Sequence, residues 1–168
     1  MLATRKQNLE GFSEWQERGL NVLIRVITGV NLWLLLRSNG RIGTRFLGRP
    51  VLLLTTVGRS SGEARTIPLF YLREGESFVV VASRAGTSRH PGWYHNIECN
   101  SQVVVQLAKE ARSMTARVAT EEEAQQLWPR LVSMFQIWER FQQHSARTFP
   151  LVILSPAGEG LEAQTAFP

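Results

Sequence analysis

The chain has 168 residues, 43% of them hydrophobic and 20% charged, the balance of one soluble domain with a real core. One cysteine, Cys99, excludes an internal disulfide and points to a reducing, cytoplasmic setting. The net charge of +5 is concentrated: residues 37–65 hold Arg37, Arg41, Arg45, Arg49, Arg59 and Arg65 against Glu63 alone.

That basic stretch does not read as a nucleic-acid surface. The lysines are Lys6 and Lys109, and there is neither a helix-turn-helix cue nor an aromatic strand of the ribonucleoprotein type. A smaller anion suits it better. His90, His95, His144 and Cys99 form no metal-ligand spacing, so no metal is expected.

Residues 20–36 are strongly apolar but interrupted by Asn21, Arg25, Thr28, Gly29 and Asn31. The run is too short and impure for a membrane span of about 20 apolar residues. It starts too late for a signal peptide and has no cleavage site after it. Flanked by Arg18 and Arg37 and carrying Trp33, it predicts a helix within an N-terminal segment, residues 1–38. That helix packs on its own domain, on a homodimer partner, or peripherally on a membrane, and all three stay open here.

Residues 51–57, Val-Leu-Leu-Leu-Thr-Thr-Val, read as a buried strand, and residues 66–72 as a second. Between them lies Gly58-Arg59-Ser60-Ser61-Gly62-Glu63-Ala64-Arg65. Glycines let the backbone turn and approach a ligand, successive N–H groups can form an anion nest, and arginine adds a fork of donors. The same residues also suit an ordinary solvated turn. Glu74-Gly75-Glu76 predicts a hairpin leading into a strand at 78–82. A loop follows at 83–89, then a short helix at 90–97 with Pro91 near its first turn.

Strands at 103–107 and 113–119 flank a turn at Lys109-Glu110. Thr120 and Glu123 have the spacing of a capping box, opening a helix expected to reach about Gln143. A last strand at 149–154 precedes a tail, residues 157–168. The sum is a mainly β, α+β domain over residues 39–156, a small antiparallel barrel with added helices.

The order Gly-Arg-x-Ser-Gly-x-x-Arg, Pro-Leu, hairpin, Ala-Ser-Arg-x-Gly, His-Pro-x-Trp-Tyr-x-Asn resembles the deazaflavin-dependent nitroreductase and quinone reductase family of actinobacteria. The likeness covers roughly residues 40 to 155. It implies a split β-barrel related to flavin-mononucleotide-binding oxidoreductases, with reduced coenzyme F-420 as cofactor and flavin mononucleotide as the less favoured alternative.

On that resemblance Arg59, Ser60, Ser61, Gly62 and Arg65 receive the cofactor's phosphate and acidic tail. Thr66, Ile67, Pro68, Leu69 and Phe70 run beside the deazaflavin. Val81, Ala82, Ser83 and Arg84, with Gly92, Trp93, Tyr94, His95 and Asn96, complete the cleft. Trp93 is a cofactor wall or a core aromatic, and Asn96 an amide donor or a helix cap. The expected reaction is hydride transfer to a quinone-like, enone or nitroaromatic acceptor.

Two departures from the family pattern stand out. Ser60 occupies a position where relatives carry lysine. The family's tyrosines over the deazaflavin match Phe70, Phe135, Trp138 and Phe141, none with a hydroxyl. Positions 135, 138 and 141 recur every three residues, so a helix sets them in one stripe, facing either a substrate pocket or the core. As a pocket it favours flat apolar acceptors. Proton donors then come from Ser83, Tyr94, His90, His95 or water, with Ser83 the choice for polarising the acceptor. A flavin-mononucleotide enzyme and a non-catalytic deazaflavin carrier remain the alternatives.

Overall fold

The computed structural model describes residues 45, 46 and 48–157. The helix expected in residues 1–38 and all but the start of the tail lie outside them. Among the described residues there are seven strands: β1 (Arg45–Phe46), β2 (Arg49–Val57), β3 (Ala64–Glu74), β4 (Ser77–Val81), β5 (Gln102–Leu107), β6 (Glu110–Val118) and β7 (Leu151–Pro156). Helix α1 (Gly92–Cys99) precedes β5, while α2 (Glu121–Met134) and α3 (Ile137–Gln143) lie between β6 and β7.

The sheet runs β1-β2-β3-β4-β7-β6-β5 and closes through a β2–β5 pairing, giving a six-strand antiparallel barrel with β1 appended. In register, Leu54 stands opposite Ile67 on β3 and Val105 on β5.

Side chains alternate across a strand, and the barrel uses both faces. Leu52, Leu54, Phe78, Val80, Val105, Met114, Val152 and Leu154 point inward and form one core. Val79, Val81, Leu151 and Ile153 point outward, into a second core covered by Leu127, Leu131 and Trp138 of the two later helices. Strands β4 and β7 are therefore buried on both sides, which is why they read as unbroken apolar runs.

The capping box at Thr120 forms as expected. Thr120 Oγ1 accepts from the Glu123 N–H at 3.3 Å, and Glu123 Oε2 accepts from the Thr120 N–H at 2.8 Å. Arg117 grips the same carboxylate at 2.6 and 2.7 Å. That grip, with the Thr120 N–H, lowers the Glu123 pKa to about 2.

The single helix expected from 120 to about 143 is instead two. Phe135 takes an extended conformation, φ −153° and ψ 93°, and interrupts it. The break turns Phe135 and Trp138 toward Phe70 on β3, with ring centroids 4.9 and 6.4 Å away. The helix expected from His90 begins at Gly92, because Pro91 is extended and serves as its N-cap. The 83–89 loop contains three successive left-handed residues, Arg84, Ala85 and Gly86, at φ 46°, 52° and 82°.

Candidate functional site

Strand β2 leaves the barrel at Val57 and the chain turns back at once. The Gly58 N–H donates to the Glu63 carbonyl at 2.8 Å, and the Gly62 N–H to the Gly58 carbonyl at 2.7 Å. Gly62 has φ 69°, a left-handed conformation in which glycine bears no Cβ penalty. A Cβ on Gly58 would stand 2.7 Å from Ser61 Oγ and 3.2 Å from the Glu63 carbonyl, so a side chain there crowds the loop. The result is a tight loop with Arg59, Ser60, Ser61 and Arg65 exposed.

Helix α1 supports this loop from beneath. Asn96, 8% exposed, accepts from the Arg59 N–H through Oδ1 at 3.2 Å and donates to Thr56 Oγ1 through Nδ2 at 3.0 Å. Its amide is thus engaged on both sides, and it holds the loop's backbone to the end of β2. Between loop and helix opens a cleft of about 620 Å³ lined by Gly58, Arg59, Ser60, Ser61, Arg65, Ile67, Gly92, Trp93 and Asn96.

The cleft is basic and open to solvent. Arg65 is paired with Glu63 at 2.6 Å, an exposed contact that an incoming anion would compete with. Arg59 has no ion pair among the described residues. Trp93, 8% exposed, forms an apolar wall.

The other residues singled out from the sequence lie elsewhere. Thr66 bonds to Thr55 across the strands at 2.7 Å. Leu69 packs on the inner core, and Phe70 on the outer one, with Pro68 just before them on β3. Val81 and Ala82 are buried in the two cores. Ser83 is buried in the loop after them, and the Arg84 guanidinium donates to the His90 carbonyl at 3.3 Å.

Tyr94 is buried, and desolvation and then Glu98 raise its hydroxyl pKa. His95 Nδ1 sits 2.8 Å from Glu98. Phe135, Trp138 and Phe141 join Phe70 in the outer core, and Phe141 lies against Gly86. Phe135 also lines a second cleft, of about 430 Å³.

Sequence reasoning missed Arg147. Its Nε donates to the Thr87 carbonyl at 3.0 Å, and Nη1 to the Ala82 carbonyl at 3.1 Å. Nη2 reaches the carbonyls of Ser83 at 2.7 Å and Arg89 at 3.2 Å. Nη1 also donates to His90 Nδ1 at 3.1 Å, which puts the neutral ring's proton on Nε2. The guanidinium carbon lies 4.8 Å from the Phe149 ring centroid. This one side chain ties the whole 82–90 loop together. Burial, then the charges of Arg147 and His95, lowers the His90 pKa below 6.5. In the sequence Arg147 is one more arginine near a strand, because its partners lie 57 to 65 residues away.

Residues 29–156 match the family model described as F420H(2)-dependent quinone reductase. The chain belongs to that family. It is similar to an F420H(2)-dependent quinone reductase of Mycobacterium tuberculosis, 32% identical over 153 residues, covering 85% of this chain and 97% of that one. A solved F420-H2 dependent reductase is 33% identical with a TM-score of 0.59, covering 64% of this chain and 95% of the other. A solved domain-swapped dimer is 33% identical with a TM-score of 0.60, covering 67% and 85%.

Family membership makes this reductase an oxidoreductase with reduced coenzyme F-420 as its cofactor, on the barrel fold that the motifs implied. The first cleft suits such a group chemically: two guanidinium groups and two hydroxyls line it, donors matched to phosphate and carboxylate oxygens. Among the described residues, no helix is long and apolar enough to cross a membrane.

Proposed function

We propose that this chain reduces a quinone-like acceptor with a hydride from reduced F-420, and that the loop at 58–65 holds the cofactor's acidic tail. The observation that carries this reading is the basic cleft in which Arg59, Ser60, Ser61 and Arg65 face Trp93 over a loop fixed by Asn96. From that loop β3 runs six residues to Phe70, ~20 Å of extended chain, so an extended cofactor can lie along it through Thr66, Pro68 and Leu69. Enones and nitroaromatics are further acceptors under the same reading.

When bound, reduced F-420 supplies the hydride. The protein's part is binding, orientation and exclusion of water. Arg59 and Arg65 neutralise the acidic tail, and Asn96 fixes the backbone that aims them. Ser83, at the start of the Arg147-clamped loop, is the hydroxyl assigned to polarise the acceptor.

Residues 39–156 form the catalytic barrel, with the 1–38 segment as an appended helix for packing, dimer contact or peripheral membrane contact, in a cytoplasmic setting. Titration with reduced F-420, oxidised F-420 and flavin mononucleotide tests the cofactor. Binding of flavin mononucleotide with none of F-420 overturns it. A menadione reoxidation rate no faster than that of free cofactor leaves a carrier rather than an enzyme.

A further inference from the structure

We propose that Arg147 is a positioning residue for the reduction. It turns the two peptide groups that flank Ser83 so that their N–H groups, with the Ser83 hydroxyl, hold the acceptor oxygen that becomes negative when the hydride arrives. This deepens the reductase reading and rests on it.

The orientation follows from the guanidinium's bonds. Nη1 donates to the Ala82 carbonyl at 3.1 Å and Nη2 to the Ser83 carbonyl at 2.7 Å. No peptide bond among the described residues is cis. In a trans peptide the N–H points opposite to the C=O, so the N–H groups of Ser83 and Arg84 aim away from Arg147. Neither has an acceptor among the described residues, although Ser83 is only 9% exposed. A buried N–H nearly always has a partner, so this pair of donors suits an oxygen supplied by a ligand. Arg84 and Ala85 keep φ of 46° and 52°, a costly backbone for residues with a Cβ, sustained where other contacts over-determine it. Five hydrogen bonds from Arg147 do so here.

These donors face the strand along which the cofactor is placed. The β3–β4 ladder ends at the pair Tyr71 and Val80, so the edge of β3 from Thr66 to Phe70 is left unpaired on that side. The same register carried three residues further sets Ser83 beside Pro68, next to Ile67 of the first cleft. The Ala82 N–H donates to the Pro150 carbonyl, on the β7 side, and the Ala82 carbonyl meets Arg147 there. The Ser83 N–H, pointing the other way, therefore faces β3. At its far end the loop enters α1, whose Gly92 and Trp93 line the same cleft. Arg147 fixes that end as well, through the Arg89 carbonyl and His90 Nδ1.

Hydride addition from reduced F-420 to a quinone transfers two electrons and one hydrogen and leaves oxidised F-420. A C–H bond forms, the displaced π pair moves to oxygen, and the hydroquinone monoanion takes its proton from water. Donors already aimed at that oxygen stabilise the charge as it grows, and the guanidinium behind both carbonyls strengthens the peptide dipoles.

The test uses the full chain as R147K. Without cofactor, amide hydrogen exchange of residues 82–91 is expected to quicken at least about tenfold, with β4 and β7 unchanged. Loaded with reduced F-420, the variant should lose about tenfold or more in kcat for menadione, with KM and the F-420 Kd within about threefold of wild type. Methylguanidinium added to R147A should recover part of the lost kcat.

A kcat within about twofold of wild type overturns the proposal, as does a loss of kcat matched by an equal loss of F-420 affinity, the mark of a general structural role. Unchanged exchange in residues 82–91 overturns it too. Should neither arginine variant fold, H90A, which removes one of the five bonds, is expected to lower kcat about two- to threefold, and no change overturns the proposal. Wild type that reduces menadione while R147K does so equally sinks this proposal alone. Wild type inert toward menadione sinks the reductase reading and this proposal with it.

Discussion

The loops at 58–65 and 82–90 use the same chemistry in opposite directions. In the first, a protein side chain serves the backbone: Asn96 accepts the Arg59 N–H, and the arginine side chains are left to face a ligand. In the second, the backbone serves a side chain: four carbonyls and His90 satisfy Arg147, whose charge is spent on the loop itself. An arginine's role is thus decided by where its five N–H donors go, not by its presence in a basic stretch.

The largest effect expected from this contrast is at Arg147. Arg147→Ala leaves four carbonyls and a histidine nitrogen without their donor, and should cost about 3 kcal/mol of stability by urea unfolding. Arg147→Lys should recover less than half, since a single ammonium cannot span the cage. A loss below about 1 kcal/mol would show that water replaces the clamp.

At the other loop the effect should fall on ligand affinity, with stability hardly moved. Arg59→Ala and Arg65→Ala should each weaken F-420 binding by about 1–3 kcal/mol, the range of a lost charge-assisted bond. Arg65 belongs at the lower end, because Glu63 already occupies it. Both losses should shrink as salt rises. Unchanged affinity in both variants would reduce the loop to a solvated turn.

Asn96→Ala falls between these classes. It strands the Arg59 N–H and Thr56, and should cost about 1–2 kcal/mol of stability while also weakening F-420 binding. Stability lost with affinity intact would mean that the loop holds its shape alone.

The smallest effect is the pH response of His90. Its folded pKa lies below 6.5, so below pH 6.5 the unfolded chain takes up the proton that the folded one resists. Its contribution is complete above that pH and is lost as pH falls through the folded value. The Tm advantage of wild type over His90→Gln should shrink between pH 7.5 and 5.5. A constant gap would rule out the tautomer-fixing contact with Arg147.

What the sequence showed was local. Apolar runs gave the strands, Gly75 the hairpin, Thr120 and Glu123 the helix start, and residues 58–65 a basic loop. What it hid was set by distant contacts. The break at Phe135 sets its ring against Phe70, 65 positions earlier, a contact that the local sequence does not show. Asn96 reads as either an amide donor or a helix cap until the fold brings it against Arg59 and Thr56. Arg49 and Arg140 meet at a cleft only because α3 returns over the start of β2.

Strand β2 carries a consequence of its own. It pairs with β3 on one side and closes the barrel against β5 on the other, and it ends in the basic loop. Its central amides cannot exchange with solvent unless the barrel opens as a whole. A ligand gripped at its tip therefore draws on global rather than local stability, and its binding free energy should appear as slower exchange deep in the wall, far from any atom it touches.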